Sequence, residues 1–206
     1  MATTHLLAGM LLAMPVVMIA PELATPALLG AAVGSVLPDL DLYVGHRRTL
    51  HFPHLALWFV PPAAFVALAS AHPAAVALAL GVVGMALHAR MDIYGGGLEL
   101  RPWEGGSDRA VYDHLHDRWL PPRRFVRYDG APEDVAMAVV LAIPLVAVTD
   151  EAVRWGILVV VGLSVCYGLV RKPIVDVGVI LLHRVPRPLL AVLPMRYLED
   201  ELVDGL

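Results

Sequence analysis

Residues 6–41 read LLAGMLLAMPVVMIAPELATPALLGAAVGSVLPDLD. From Leu6 to Pro38 the one charged side chain is Glu22, and it stands in a break marked by Pro21 and Thr25-Pro26. Two apolar runs with so short an interruption predict a pair of helices folded back on each other. Working outward, the same arrangement recurs. Six apolar runs, over residues 6–20, 23–37, 55–70, 74–87, 135–149 and 155–170, contain no Asp, Glu, Lys, Arg or His. Ala71-His72-Pro73 joins the third run to the fourth, and Asp150-Glu151 joins the fifth to the sixth. Most runs fall short of the roughly 20 residues of a full membrane crossing, so the shortest must borrow flanking residues, tilt or insert shallowly. Pro15, Pro61, Pro62 and Pro144 lie inside runs and predict kinks, which membrane helices tolerate.

Composition agrees. The 206 residues are 58% hydrophobic and 17% charged, against about 45–50% and about 25% in soluble domains. Disorder requires the opposite balance. A net charge of -4 argues against direct nucleic-acid binding, and the single cysteine, Cys166, excludes a disulfide-stapled scaffold. The expected fold is all-α: a polytopic integral membrane protein of about 4–6 membrane helices arranged as hairpins, with a cytoplasmic polar cap. Its expected divisions are a membrane domain over 1–98, the cap over 99–134, a third membrane hairpin over 135–172 and an amphipathic tail over 173–206 that lies on the membrane. No Lys or Arg precedes the first run, and Pro21 follows the small residue that cleavage would need, so that run is read as a helix and not as a cleaved signal.

The hairpins place the N-terminus, residues 38–54, residues 88–134 and everything after Val170 on one side. Fourteen of the fifteen Lys and Arg residues fall there, and Arg154 alone flanks the other side. Such a bias predicts a multi-pass protein of the cytoplasmic (inner) membrane with its polar side in the cytoplasm.

On that side the topology gathers His5, Asp39, Asp41, His46, His51, His88 and Asp92 at the mouths of the first two hairpins. His88 and Asp92 are four apart, so a helix projects both from one face. Histidine and carboxylate without cysteine suit a divalent metal, zinc foremost, with manganese or iron as alternatives. Seven such groups exceed the needs of one tetrahedral ion, so one or two ions are expected. Singly, each residue reads as an interfacial or capping group; Asp39 alone would be a helix cap. His54 divides between support of the site and the interface, His72 lies on the opposite side and His183 in the tail. His114 and His116 alternate, diverge on a helix and read as solvated cap residues.

Four motifs resemble the YdjM-like family of inner-membrane proteins, described as metal-dependent hydrolases. They are the early His5, Leu37-Pro-Asp-Leu-Asp41, His46-Arg-Arg-Thr-Leu-His51 and His88-Ala-Arg-Met-Asp92, with a similar Gly-rich turn at Gly95-Gly-Gly97 and Arg101-Pro-Trp103. The chain departs from the family pattern at Leu42, where a further His is frequent, at Arg48 in place of Gly, and at Phe52 in place of Ser. The resemblance implies a membrane-bound metal-dependent hydrolase using metal-activated water. The ligands sit at headgroup level, so membrane lipid is the expected partner and a lipid-headgroup phosphoester the expected substrate. Asp39 is then a ligand or general base, and Arg47, with Arg48 beside it, neutralises a phosphate. The alternative is a non-catalytic binding or regulatory membrane protein with a structural metal, docking a cytosolic protein partner through the arginines of 118–127. The family's suggested association with a DNA-damage repressor belongs to that reading. A transporter ranks last, because the apolar runs carry no ionisable group except Cys166 and Tyr167.

Overall fold

The first apolar run becomes two helices and each of the other five becomes one in the computed structural model, which describes residues 1–182 and Arg184. The helices are α1 (Ala2–Leu12), α2 (Met14–Ile19), α3 (Ala24–Val36), α4 (Leu55–Ser70), α5 (Pro73–Ile93), α6 (Pro132–Val148) and α7 (Glu151–Leu182). Short 3-10 segments cover Pro21–Leu23 and Leu37–Tyr43. A two-stranded antiparallel hairpin, β1 (Val111–Asp113) with β2 (Arg118–Leu120), is the one sheet among the described residues. Pro15 explains the break between α1 and α2, since it lacks an N–H and crowds the carbonyl one turn back. Four stretches are long and apolar enough to cross a membrane: Ala2–Ile19, Pro21–Tyr43, Pro73–Ile93 and Glu151–Leu181. Their outward faces are apolar too, with Leu29 and Val33 on α3 and Leu169 on α7 exposed.

At the boundary expected between the third hairpin and the tail, residues 172 and 173, the helix carries no break: α7 runs through Pro173 to Leu182. A single interior proline costs one backbone bond and kinks a helix without ending it when the flanking turns are strongly helical. His183 and residues 185–206 of the expected tail lie outside the described residues.

The core sits where α1, α3, α5, α6 and α7 meet, around Leu7, Ala27, Ala31, Val76, Leu145 and Ile157. The tightest approach is between α3 and α5. A Cβ at Gly30 would overlap the backbone of Ala77, and one at Gly34 would overlap the backbone of Gly81. The two small pairs, each four residues apart, let the helix backbones touch as small-residue pairs do in membrane bundles. Gly84 similarly rests against the Ala31 carbonyl and Ser35.

The polar segment folds down onto the helix ends. Backbone bonds run from Arg123 to Ile93 (2.8 Å), from Arg124 to Gly95 (3.1 Å) and from Val126 to Tyr94 (3.0 Å), so the chain returns along the end of α5. Thr4 Oγ1 donates to Asp134 Oδ1 (2.5 Å) and the Gly130 N–H to Asp134 Oδ2 (2.8 Å), fastening α1 to α6. Arg171 on α7 reaches Asp129 at 3.1 Å, and Tyr167 donates to the same carboxylate. Burial alone would raise the Asp129 pKa. The chain's amino terminus, Arg171 and Tyr167 outweigh it and hold the carboxyl at about 2.

Two predictions follow from these contacts. Gly34→Val should lower stability in detergent by about 1–3 kcal/mol through overpacking, whereas Gly81→Ala, whose Cβ would stand 3.4 Å from the nearest atom, should be neutral or slightly stabilising; thermal unfolding compares the two. The second concerns Asp129, whose folded pKa lies below its unfolded value. Its contribution to stability is therefore complete above about pH 4 and is lost as the pH falls toward about 2. Arg171→Met should cost about 2 kcal/mol at neutral pH, less than a fully buried pair because Asp129 is partly exposed. It should also make the acid-side loss of stability shallower, as followed by unfolding against pH.

Candidate metal centre

Four elements converge at one end of the bundle. The first turn of α1 supplies His5, the Leu37–Tyr43 segment Asp39 and Asp41, the following loop His46, Arg47 and His51, and the end of α5 His88 and Asp92. His5, Asp41, His51, His88 and Asp92 are each buried. Asp39, His51, His88 and Asp92 each direct one ligand atom into a common space, all within 4.8 Å of one another.

The histidine tautomers follow from what lies behind them. His88 Nδ1 stands 2.7 Å from the Ser35 carbonyl oxygen, which only accepts, so Nδ1 carries the proton. His51 Nδ1 stands 2.9 Å from Asp41 Oδ2, and the same reasoning applies. Both Nε2 atoms therefore turn lone pairs inward when the rings are neutral, and they face each other at 3.1 Å. Asp92 Oδ2 lies 3.1 Å from His51 Nε2 and 3.4 Å from His88 Nε2, and Asp39 Oδ1 lies 3.5 Å from His88 Nε2. Converging lone pairs and carboxylates need a cation. Ligands of one tetrahedral zinc stand roughly 3.3 Å apart, given Zn–N bonds of about 2.0–2.1 Å. The donor set fits a divalent ion in type and spacing. Without one, a proton is the available countercharge. Burial opposes it on His51, but Asp41 and Asp92 outweigh burial and raise that pKa above the ordinary histidine value.

The seven expected ligands thus divide. Asp41 is not in the converging group, because its oxygens are already used: Oδ1 faces His46 Nδ1 (3.1 Å) and the Arg47 N–H (3.3 Å), while Oδ2 faces the Leu50 N–H (3.1 Å) and His51 Nδ1. It orients His51, as carboxylates behind metal-bound histidines do. His46, with Nδ1 on Asp41 and its ring centred 5.8 Å from that of His51, is also outside the group. His5 borders the group, with Nε2 3.7 Å from Asp92 Oδ1 and its ring centred 4.2 Å from that of His88. Both ring nitrogens of His5 are buried without a hydrogen-bond partner, an orphaned pair that further suits a bound ion.

A cavity of about 520 Å³ opens beside these groups, lined by His5, Asp39, His46, Arg47, Asp92 and Glu99, with Leu42, Leu98 and Leu163 as apolar wall. Arg47 donates from Nη1 to the Gly96 carbonyl (2.8 Å), places Nη2 3.5 Å from Asp92, and leaves Nε buried without a partner. Its backbone is left-handed (φ 58°), which turns the loop at the site. Arg48 does not join it: that guanidinium lies over the Tyr112 ring at 4.4 Å.

Glu99 was not anticipated as a site residue. Both its oxygens are buried without hydrogen-bond partners, in space that Gly97 leaves open. Nothing in the sequence distinguishes it from the other acids of the polar segment. His72 caps α5, accepting from the Ala74 N–H (3.2 Å), away from the site. His54, His114 and His116 also lie outside it, and His183 lies outside the described residues.

Compared with protein-family models, curated proteins and solved structures, the chain matches none. The resemblance to the YdjM-like family rests on the quoted motifs alone.

Asp92→Ala and His88→Ala should each remove one equivalent of bound divalent metal from purified protein, read by elemental analysis. Asp41→Asn, which perturbs orientation and not a ligand, should instead weaken metal binding about 10–100-fold.

Proposed function

We propose that the chain is a polytopic integral protein of the cytoplasmic membrane and a metal-dependent hydrolase of phosphoesters at the cytoplasmic face. The observation that carries this reading is the pair of inward-facing Nε2 atoms of His51 and His88, 3.1 Å apart and flanked by Asp39 and Asp92, at the edge of the cavity. The four apolar stretches with apolar outward faces support the membrane assignment. The gathering of Lys and Arg at the site end of the bundle supports the cytoplasmic side.

Zinc is the ion proposed, held by His51, His88 and Asp92 with a fourth position left to water, and with His5 available to it or to a second ion. Such an ion would supply a Lewis acid that polarises a phosphoryl oxygen and acidifies water at neutral pH. The chain's own residues then divide the work. Asp41 and the Ser35 carbonyl hold His51 and His88 in the required tautomers. Asp39, the most exposed of the four converging residues, stays off the ion and takes up a proton from that water as general base. Arg47 places a guanidinium in the cavity with Nε unpartnered, positioned to donate to a phosphate oxygen. The apolar wall accommodates the non-phosphate part of a lipid headgroup ester.

The regulatory alternative rests on the four arginines of 118–127, and three of them are engaged inside the chain, while Arg118 is exposed. Arg124 donates to the Gly105 and Ser107 carbonyls (3.0 and 2.7 Å), Arg127 pairs with Glu133 (2.7 Å), and Arg123 lies over Tyr94 (5.4 Å). That use favours the hydrolase reading.

Purified protein supplied with zinc or manganese should hydrolyse a lipid phosphoester or a generic phosphodiester. Arg47→Ala should lower kcat/KM about 10–100-fold, mainly through KM, with metal content retained. Metal-loaded protein that hydrolyses neither class of substrate overturns the proposal.

A further inference from the structure

Residues at the tip of the polar segment form a second histidine–carboxylate cluster, separate from the converging group of the first. We propose that His54, Asp113 and His116 bind a second divalent transition-metal ion, of zinc type, which clamps the β1–β2 hairpin to the start of α4.

Each of the three offers one ligand atom within 4.8 Å of the others. His54 Nδ1 stands 3.0 Å from Asp113 Oδ1 and His116 Nδ1 2.6 Å from Asp113 Oδ2, and the two rings are centred 5.9 Å apart. The Asp113 side chain is 1% exposed, so the carboxylate at the centre is removed from water, while His116 is open to it. His54 Nδ1 is buried and lies 3.0 Å from Asp113 Oδ1 without a hydrogen bond. Asp113 itself is satisfied, Oδ1 by the Leu115 N–H (3.1 Å) and Oδ2 by the His116 ring (2.6 Å), so the unmet group is the His54 nitrogen, and an ion taking the place of a proton among these side chains would satisfy it. Two imidazoles and one carboxylate, with the open side left to water, are a three-ligand set that zinc-type ions accept.

The three residues come from elements that meet only through the fold. His54 precedes α4, Asp113 ends β1, and His116 lies in the turn that Asp117 closes with a left-handed backbone (φ 50°). The hairpin is already laid along the loop that carries Arg47 and His51. The Tyr112 N–H donates to the Arg47 carbonyl (2.9 Å), the His114 ring contacts the Arg48 carbonyl (2.6 Å), and the Phe52 and His114 rings are centred 4.8 Å apart. An ion at His54, Asp113 and His116 would close this attachment from the other end. Its role is structural support of the loop, with no part in the hydrolytic step.

The test counts ions in a background that lacks the first centre, so the two assignments fail independently. His88→Ala/Asp92→Ala protein in detergent, titrated with zinc or cobalt, should retain one equivalent, with a visible cobalt spectrum. Adding His54→Ala/His116→Ala should take the stoichiometry to zero. Should the background variant not fold, His54→Ala/His116→Ala alone should bind one equivalent fewer than wild type. His116 is exposed, so His116→Ala should fold normally by circular dichroism. It should also make the loop around residues 45–54 cleavable by protease at zinc concentrations that protect the wild type. No retained ion in the folded background variant, or an ion indifferent to both histidine substitutions, overturns the proposal and leaves Asp113 as a carboxylate held by its two imidazoles and the Leu115 N–H.

Discussion

The contact on which the rest depends is the touch of α3 against α5. Two glycines on one helix meet an alanine and a glycine on the other, and the backbones come together without side chains between them. That closeness brings the Ser35 carbonyl within 2.7 Å of His88 Nδ1. A carbonyl cannot donate, so the ring has one arrangement available, and its other nitrogen is turned toward Asp92 and His51. A bulkier pair of helix faces would part the backbones and release the ring. The geometry of the histidine–aspartate group is thus decided by residues that carry no functional group at all.

Around that contact, charge is spent sparingly and nearly always in pairs or groups. Asp134 ties α1 to the turn before α6, Asp129 joins the polar segment to Arg171, and Asp41 serves two imidazoles and two backbone N–H groups at once. A buried carboxylate without such partners would be costly. The exceptions at the cavity are therefore informative: His5, Arg47, Asp92 and Glu99 each hold a buried polar atom without a hydrogen-bond partner. Four such groups around one space are open where a ligand would reach them.

The helices were legible because charge is nearly absent from the runs and concentrated at the breaks between them. The convergence of His5, Asp39, His51, His88 and Asp92 was legible too, since a hairpin returns its end to its start. Roles were harder. Asp39 and Asp41 are two residues apart in an irregular segment, and spacing alone does not say that one faces the space and the other stands behind His51. His114 and His116 diverge if read on a helix, yet they sit in the turn of a three-residue strand pair too short to show alternation. The tail was set apart at 173 for its amphipathic pattern, which does not say that the helix before it continues through Pro173. Glu99 had no local signal; only the fold reveals that its oxygens lack partners.

The continuity of α7 has a mechanical consequence. A helix of 32 residues is about 48 Å long at 1.5 Å per residue, against a hydrocarbon layer of about 30 Å. In a bilayer such a rod must either lean over or stand proud of the surface by several turns. Asp176, on its last turns, reaches back to Arg101 in the polar segment at 3.9 Å, while Arg171 grips the same segment lower down. The helix then acts as a mast with two stays. The two ion pairs tie its far half to the polar segment at two heights, so that segment and the last turns of α7 are held as one piece.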